Sequence, residues 1–234
     1  FLLYYCVSIF KGGKVDLIQT ILDYAEQKLS RALYLLLLRD EPAHHAPKYH
    51  QYGVLGHMAA VVIAAERLYE ATGEDVRQAA LYHDIGKIRK FPDAVALFAQ
   101  GLDPGLSYRK HESWSARIAD GIAVGMHARD LQIIREHGLA YSAKPATIVR
   151  RLANDPALIR RWMLLCAADA VGKGWTEVQR QQRPQIAASY SIVAELSGIS
   201  ADDPILKTAV AAILDWELPQ VPRFTDCAAA CAAT

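Results

Sequence analysis

The sequence predicts an all-α fold, a bundle of helices with helical additions at both ends. Apolar residues recur at spacings of three and four through most of the 234 residues, which is the period of an amphipathic helix. Outside the N-terminus, no alternating apolar and polar run extends beyond a few residues, so strands are not expected. The chain contains neither an internal repeat nor a long low-complexity linker. Together these observations favour a single helical domain.

Three helices are expected in the first part of the chain. Residues 14–40 form an amphipathic pattern that stops at the prolines of DEPAHHAP. Its apolar positions are Val15, Ile18, Leu22, Ala25, Leu29 and Leu33. A second helix is predicted over 56–73, where a Thr-Gly pair ends it. A third is predicted over 74–91 and is closed by Pro92.

The second part of the chain begins with a predicted loop-rich section over 91–110, which contains two glycines and a proline near its end. Further helices are expected over 111–126, 128–140, 156–174, 183–198 and 203–216. We therefore divide the chain into three parts. These are an N-terminal extension that is mainly one amphipathic helix (1–50), a central domain (51–200), and a C-terminal helix with a tail (201–234).

Composition is typical of a globular protein and argues against several function classes. Hydrophobic residues make up 52% of the chain, which is enough for a sizeable core and argues against global disorder. The 26 basic and 25 acidic residues nearly cancel, so the overall charge gives no sign of a nucleic-acid coat protein or a membrane-surface binder. The apolar start FLLYYCVSIF has ten residues, whereas a bilayer span needs ~20. We interpret Cys6, Cys166, Cys227 and Cys231 as free thiols in a reducing compartment, and we expect a cytoplasmic protein.

The stretch LYHDIGK, residues 81–87, places His83 directly before Asp84. An imidazole binds one metal ion through a single nitrogen, whereas a carboxylate has two oxygens and can bridge two cations. Adjacent helix residues point about 100° apart, so the pair reaches two neighbouring metal positions, or one metal from two sides. His57 begins the preceding predicted helix, and helices joined by a short turn pack antiparallel. His57 is therefore expected to face His83.

Three more residues of ligand type complete a candidate set. His111, in YRKHESW, opens a predicted helix, and His137, in IIREHGL, closes one. Asp169 lies inside the apolar run LLCAADAVGKG, where a carboxylate is costly to bury unless it has a partner such as a metal. His127, in VGMHARD, is the chief rival of His137 as a ligand. The remaining histidines are interpreted as surface residues of a proline-broken loop: His44, His45 and His50.

The motifs GHMAAV, AALYHDIGK, KHES, REHG and LLCAADAVGKG occur along the chain in this order. With them, roughly residues 50 to 200 resemble the HD superfamily of metal-dependent phosphohydrolases, and in particular the HD region of bacterial CCA-adding tRNA nucleotidyltransferases. The nucleotidyltransferase signature, paired aspartates after a Gly-Ser on a strand, is not found in the sequence, and the first fifty residues are too few for that domain. The resemblance therefore implies a free-standing HD-domain helical bundle over 51–200, and it does not imply tRNA end synthesis.

The resemblance implies two divalent cations. The first would be bound by His57, His83, Asp84 and Asp169. The second would be bound by His111 and His137, with Asp84 bridging both cations at the centre of catalysis. The alternative is a mononuclear site in which these two histidines contact phosphate instead. Nitrogen-rich ligand sets suit Mn, Fe, Co, Ni or Zn better than Mg alone, and the sequence does not choose among these metals.

Basic residues surround these motifs in the sequence and are expected to form a rim that attracts a phosphorylated substrate. They are Lys87, Arg89, Arg109, Lys110 and Lys173. Lys87 follows Asp84 by one helical turn, so it is also a catalytic candidate that holds a substrate phosphate or steadies the carboxylate. The alternative interpretation of Lys87 is an exposed lysine at a helix end.

The function implied by the resemblance is hydrolysis of a phosphomonoester or phosphodiester by a metal-activated water, in a nucleotide or at an RNA end. Two alternatives stay open. Some HD-family members with a similar set of four histidines and two aspartates hold two irons and use dioxygen to cleave C–C or C–P bonds. A third interpretation is a non-catalytic nucleotide-binding module, although the complete ligand set argues against it.

Overall fold

The computed structural model describes the backbone of residues 15–218 and the side chains of residues 19–218. The described residues are helical and contain no β-strand, which confirms the predicted all-α class. The α-helices are α1 (Val15–Lys28), α2 (Arg31–Leu38), α3 (Val54–Thr72), α4 (Arg77–Tyr82), α5 (Gly86–Ala99), α6 (His111–Ile122), α7 (Ala128–Glu136), α8 (Pro145–Arg151), α9 (Pro156–Gly172), α10 (Glu177–Leu196) and α11 (Pro204–Asp215). Short 3₁₀ helices cover Pro42–His44, Pro104–Tyr108 and His137–Tyr141.

Helix α9 lies at the centre of the bundle and packs against α3 and α11. It is buried on all sides over residues 162–172, and a helix that is apolar all round belongs in a core. Each large apolar side chain buried there contributes about 1.5–3 kcal/mol. Gly172 makes the approach to α3 close, because a Cβ atom at this position would overlap the backbone and side chain of Val61. This packing brings Asp169 of α9 close to His57 of α3.

The prediction of a single helix over 74–91 is wrong, because the chain forms two helices there with a turn between them. Helix α4 ends at Tyr82 and α5 begins at Gly86. The backbone N–H of Gly86 donates to the hydroxyl of Ser115, and a Cβ atom on Gly86 would overlap the carbonyl of His111. Helix α6 therefore crosses α5 at a position where only glycine fits. His83 and Asp84 lie in the turn and not on one continuous helix.

Pro92 does not close a helix as predicted but lies inside α5. Proline lacks the N–H that would bond the carbonyl of Ile88, so the sequence alone favours an end there. Packing of α5 against the 3₁₀ helix Pro104–Tyr108 offsets this loss. The predicted loop-rich section over 91–110 is therefore mostly helical. Helix α10 likewise contains Pro184 and begins at Glu177, six residues before the predicted start.

The amphipathic pattern predicted over 14–40 is helical but divided. Helix α1 ends at Lys28, and Ser30 caps α2 by accepting a hydrogen bond from the N–H of Leu33 at 3.4 Å. A serine that caps a new helix competes with continuation of the old one, which explains the break.

Several predictions concern the two ends of the chain. The thiols of Cys6, Cys227 and Cys231 and the C-terminal tail from residue 219 lie outside the described residues, whereas Cys166 is a free, buried thiol. Among the described helices, none combines the length and apolar character that a bilayer crossing requires.

Candidate metal centre

Asp84 is buried, and its two carboxylate oxygens face different pairs of histidines. Oδ2 lies 3.1 Å from Nε2 of His57 and 3.3 Å from Nε2 of His83. Oδ1 lies 2.7 Å from Nε2 of His111 and 3.7 Å from Nε2 of His137. The turn between α4 and α5 thus places one carboxylate between imidazoles from four separate segments.

A compact group of donor atoms lies on the Oδ2 side of Asp84. Oδ1 of Asp169 is 3.1 Å from Nε2 of His57 and 3.7 Å from Nε2 of His83, and the two imidazole nitrogens are 3.2 Å apart. Metal–nitrogen and metal–oxygen bonds of about 2.0–2.2 Å place the donors of one cation roughly 3–4 Å apart. The spacing therefore suits a single shared cation. His57 faces His83, as antiparallel packing of the two helices predicts.

A second group lies on the Oδ1 side of Asp84. Nε2 of His137 lies 3.7 Å from Oδ1, and His137, Asp84 and His83 form a buried group whose donor atoms all lie within 4.8 Å of one another. His111 adds a further nitrogen at 2.7 Å from Oδ1. The six predicted ligands are therefore brought together around Asp84, in the arrangement that a bridging carboxylate requires.

Hydrogen bonds fix the orientation of three of the four histidine rings. Nδ1 of His83 donates to the carbonyl of Ala80 at 2.6 Å, and Nδ1 of His137 donates to the carbonyl of Ile134 at 2.7 Å. Nδ1 of His111 donates to the carbonyl three residues earlier at 2.8 Å. Each histidine directly follows or closely follows a helical segment, whose last carbonyls lack partners within the helix. These bonds place the proton on Nδ1 and leave the Nε2 lone pair free for a metal.

The close approach of His111 to Asp84 provides a test of whether a cation fits. Nε2 of His111 and Oδ1 of Asp84 are 2.7 Å apart and buried, yet neither atom has a correctly directed hydrogen bond. Because the proton of His111 lies on Nδ1, both atoms present lone pairs to each other. Two buried lone pairs at this distance repel, and a cation bound to both atoms removes the repulsion. The donor set therefore fits a bound metal.

Charges nearby keep both aspartates ionised. Burial raises the pKa of Asp84, but its basic neighbours, the ammonium of Lys87 among them, outweigh burial and hold that pKa well below its usual range. Burial also raises the pKa of Asp169, and Lys173 and His57 lower it well below the ordinary value. Both side chains are carboxylates at neutral pH, which is the form that binds metals.

Two lysines contact the two carboxylates directly. Nζ of Lys87 lies 2.7 Å from Oδ2 of Asp84, and Nζ of Lys173 lies 3.1 Å from Oδ2 of Asp169. Lys87 is only 4% exposed, so its alternative interpretation as an exposed helix-end lysine is wrong. The hydroxyl of Tyr141 donates to the same oxygen of Asp169 at 2.9 Å, and the ammonium of Lys173 lies 3.3 Å from the centre of the tyrosine ring.

A cleft of about 410 Å³ opens onto the donor atoms. Its walls include Asp84, His111, His137 and Asp169, together with Lys87, Lys173 and Arg109. Two of the five basic residues predicted to bind substrate do not line this cleft. Arg89 is exposed and stacks on Trp114 at 3.8 Å, and Lys110 is exposed where α6 begins.

The two rival histidines occupy different environments. His137 is buried among the donor atoms, whereas His127 is exposed and caps α7 by accepting a hydrogen bond from the N–H of Arg129 at 3.2 Å. The structure therefore brings His137, and not His127, to Asp84.

The interpretation of His44, His45 and His50 as surface residues is wrong, because all three are buried. The hydroxyl of Tyr108 donates to the carbonyl of His44 at 2.7 Å and ties the loop to the bundle. His45 accepts a hydrogen bond from Lys87 at 2.9 Å, and His50 lines the cleft. The cluster of histidines just before the helix of His57 was a sequence signal that these residues belong to the site. The prolines around them favoured a surface loop instead.

Comparison with protein families supports the same central segment. The family model described as HD domain matches residues 54–173, just over half of the chain. The matched segment begins with α3 and includes all six candidate metal ligands. No curated protein and no solved structure matches the chain.

Proposed function

The chain belongs to the HD domain family, and from this membership we propose that it is a metal-dependent phosphohydrolase that cleaves a phosphomonoester or phosphodiester bond of a nucleotide or of an RNA end. The observation that carries the proposal is the position of Asp84. Its two oxygens face two separate sets of imidazoles, which is the arrangement that two neighbouring cations need.

We assign the ligands in two sets that share Asp84. The first cation would be bound by His57, His83, Asp84 and Asp169, and the second by His111, His137 and Asp84. Four imidazoles in the set favour Mn, Fe, Co, Ni or Zn over Mg. When bound, such cations act as Lewis acids on a phosphoryl oxygen and make a water molecule more acidic.

The side chains around the donor atoms perform the other tasks of a phosphohydrolase. An ammonium group has three N–H donors, and Lys87 uses two of them on Asp84 and His45. The third remains for a phosphoryl oxygen in the cleft. Lys173 holds Asp169 in place and lines the same cleft, where Arg109 adds a further positive charge at the exposed rim. The positive charges of these three side chains offset the negative charge of a bound phosphate.

The proposal is tested by elemental analysis of the purified protein, followed by a screen of metals against phosphate esters. The screen includes bis(p-nitrophenyl) phosphate, 2′,3′-cyclic nucleotides and nucleoside mono- and triphosphates. We expect hydrolysis of at least one of them with a transition metal, and we expect Asp84→Ala to lose both metal and turnover. Asp93→Ala is the matched control, because Asp93 is an exposed carboxylate on α5. An Asp84→Ala variant that keeps its full metal content contradicts the proposal.

The two alternatives predict different results in the same preparations. An HD-type di-iron oxygenase uses a similar set of ligands, so the metal set does not separate it from a hydrolase. Iron-dependent oxygen consumption with an organic phosphonate or a polyol, without ester hydrolysis, would establish the oxygenase. Tight nucleotide binding without turnover in any divalent metal would establish a non-catalytic module.

A further inference from the structure

His50 is a buried side chain that faces the cleft without a hydrogen-bond partner. It is 7% exposed and lines the cleft beside Asp84 and Asp169. Neither Nδ1 nor Nε2 has a partner among the described residues. A buried polar group left without a partner is destabilising, so an unpartnered imidazole at this position requires an explanation.

Stacking fixes the position of the His50 ring. The ring lies flat on His45, with centroids 3.9 Å apart and an angle of 28° between the planes. Its edge meets His57, with centroids 4.9 Å apart. His45 is itself anchored, because Nδ1 donates to the carbonyl of Tyr52 at 3.1 Å and Nε2 accepts from Lys87 at 2.9 Å. The buried ring of His45 thus orients both Lys87 and His50.

Two lysines of the cleft provide N–H donors for an anionic ligand beside His50, since the neighbouring carboxylates of Asp84 and Asp169 are assigned to the cations. Lys87 and Lys173 line the same cleft, so their ammonium groups share this space with the His50 ring. A neutral imidazole has one N–H donor and one lone pair. An oxygen bound by this N–H and by two ammonium groups carries negative charge.

We propose that His50 is a substrate-binding residue, which together with Lys87 and Lys173 forms a subsite for a phosphoryl group in the wall of the cleft. The N–H of His50 donates to a phosphoryl oxygen and so satisfies the buried imidazole. His45 is the positioning residue of this subsite, since it supports the His50 ring and holds the ammonium of Lys87. The inference deepens the function proposed above and rests on it.

The test measures binding of inorganic phosphate to the metal-loaded protein by isothermal titration calorimetry. His50→Phe keeps an aromatic ring on His45 and removes both nitrogens, and we expect it to bind phosphate at least about tenfold more weakly, with unchanged metal content. His50→Gln keeps an N–H donor and is expected to lose less. His44→Phe is the control, because His44 is equally buried but meets Phe91 and Phe98 and does not line the cleft. Phosphate affinity of His50→Phe within twofold of the parent overturns the inference, as does joint loss of phosphate and metal.

A second measurement uses the parent protein and therefore does not depend on how a variant folds. In protein with ¹⁵N-labelled histidine, added phosphate is expected to shift the ring-nitrogen resonance that is missing from His50→Gln. A resonance that does not respond overturns the subsite.

Turnover measurements separate this inference from the proposed function. Phosphate binding that depends on His50, without hydrolysis of any ester, overturns the hydrolase alone. If an ester is hydrolysed but phosphate affinity is unchanged in the His50 variants, the subsite alone is overturned.

Discussion

Nζ of Lys87 lies 2.7 Å from Oδ2 of Asp84, and both side chains are buried. The ammonium therefore balances part of the charge of the carboxylate that is shared by the two sets of histidines. Lys87 also lines the cleft, so in the proposed function its remaining N–H donates to a phosphoryl oxygen. A buried ion pair of this kind is weak evidence for a role in stability alone, so its effect on turnover is the informative quantity.

Lys87→Met is expected to reduce kcat by about 10²-fold or more, because removing one preorganised donor to a charged transition state typically has an effect of that size. Metal content is expected to stay unchanged, since the six ligands remain in place. Steady-state kinetics and elemental analysis check the two parts. Lys90→Met is the control, because Lys90 lies on the same helix and does not line the cleft. Equal kcat values for Lys87→Met and the parent would rule out this role.

Gly86→Ala is expected to destabilise the protein by about 1–3 kcal/mol, because the added methyl group would overlap the carbonyl of His111 and the backbone of Ser115. Since α6 must move to relieve the overlap, the variant is also expected to bind the second cation more weakly. Chemical denaturation and metal titration measure the two effects. Gly121→Ala on α6 is the matched control, because a Cβ atom there meets nothing within 4 Å. The control should be neutral or more stable by up to ~1 kcal/mol, and equal behaviour of the two variants would contradict the account.

Arg183 is 1% exposed and binds backbone carbonyls where α9 and α11 end. The acceptors are the carbonyls of Ala170, Val171, Gly174, Ile213 and Trp216. Burial lowers the pKa of the guanidinium to about 10, so the group stays charged at pH 7 and complements the negative ends of the two helices. It thereby holds the end of α9, which carries Asp169 and Lys173.

Arg183→Met is expected to lower the free energy of unfolding by about 3–5 kcal/mol, because several buried carbonyls lose their donor. Arg180→Met on the same helix is the control, since Arg180 is exposed and forms only a surface ion pair with Glu177 at 3.6 Å. The control should change stability by less than ~0.5 kcal/mol. Denaturant titration of both variants decides the matter, and a loss below 1 kcal/mol for Arg183→Met would refute the assigned role.

Asp40 is a carboxylate whose pKa is raised in the folded protein. Its Oδ2 accepts a hydrogen bond from the N–H of Gly56 at 2.9 Å in the first turn of α3, while Oδ1 is buried without a hydrogen bond. Burial raises the pKa to about 7, although the backbone N–H groups of Gly56 and Leu55 oppose the rise. The folded state therefore binds this proton more tightly than the unfolded state does.

From this shift, the contribution of Asp40 to stability is largest below pH 4 and is lost as the pH rises from about 4 to about 7. Asp40→Asn keeps an acceptor for Gly56 and cannot ionise, and asparagine tolerates the positive φ of +53° at this position. The variant should gain stability over the parent as the pH rises, by at most about 4 kcal/mol at pH 8. Denaturation curves at pH 4.5 and pH 8 check the gain. A stability difference that is the same at both pH values would disprove it.

The sequence was sufficient to predict the helical class and the meeting of His57 with His83. Both follow from local properties, because hydrophobic periodicity sets the helices and a short turn sets their antiparallel packing. Histidines at helix ends could be predicted as ligands for the same reason, because the free carbonyls of a helix end orient an imidazole.

What the sequence did not predict depends on contacts between distant segments. The break of α4 from α5 requires the approach of Ser115 to Gly86, which no local pattern contains. The burial of His45 and His50 requires the loop before α3 to fold inward. That loop is held by Tyr108 and by the bond from the N–H of Gln51 to the carbonyl of Lys173 at 2.9 Å.

The central claim is that Asp84 bridges two cations, and anomalous diffraction from crystals of the manganese-loaded protein tests it most directly. We predict two anomalous peaks about 3.5–4 Å apart, each beside a different oxygen of Asp84. One peak would lie near His57 and Asp169, and the other near His111 and His137. A single peak, or two peaks away from Asp84, would contradict the claim.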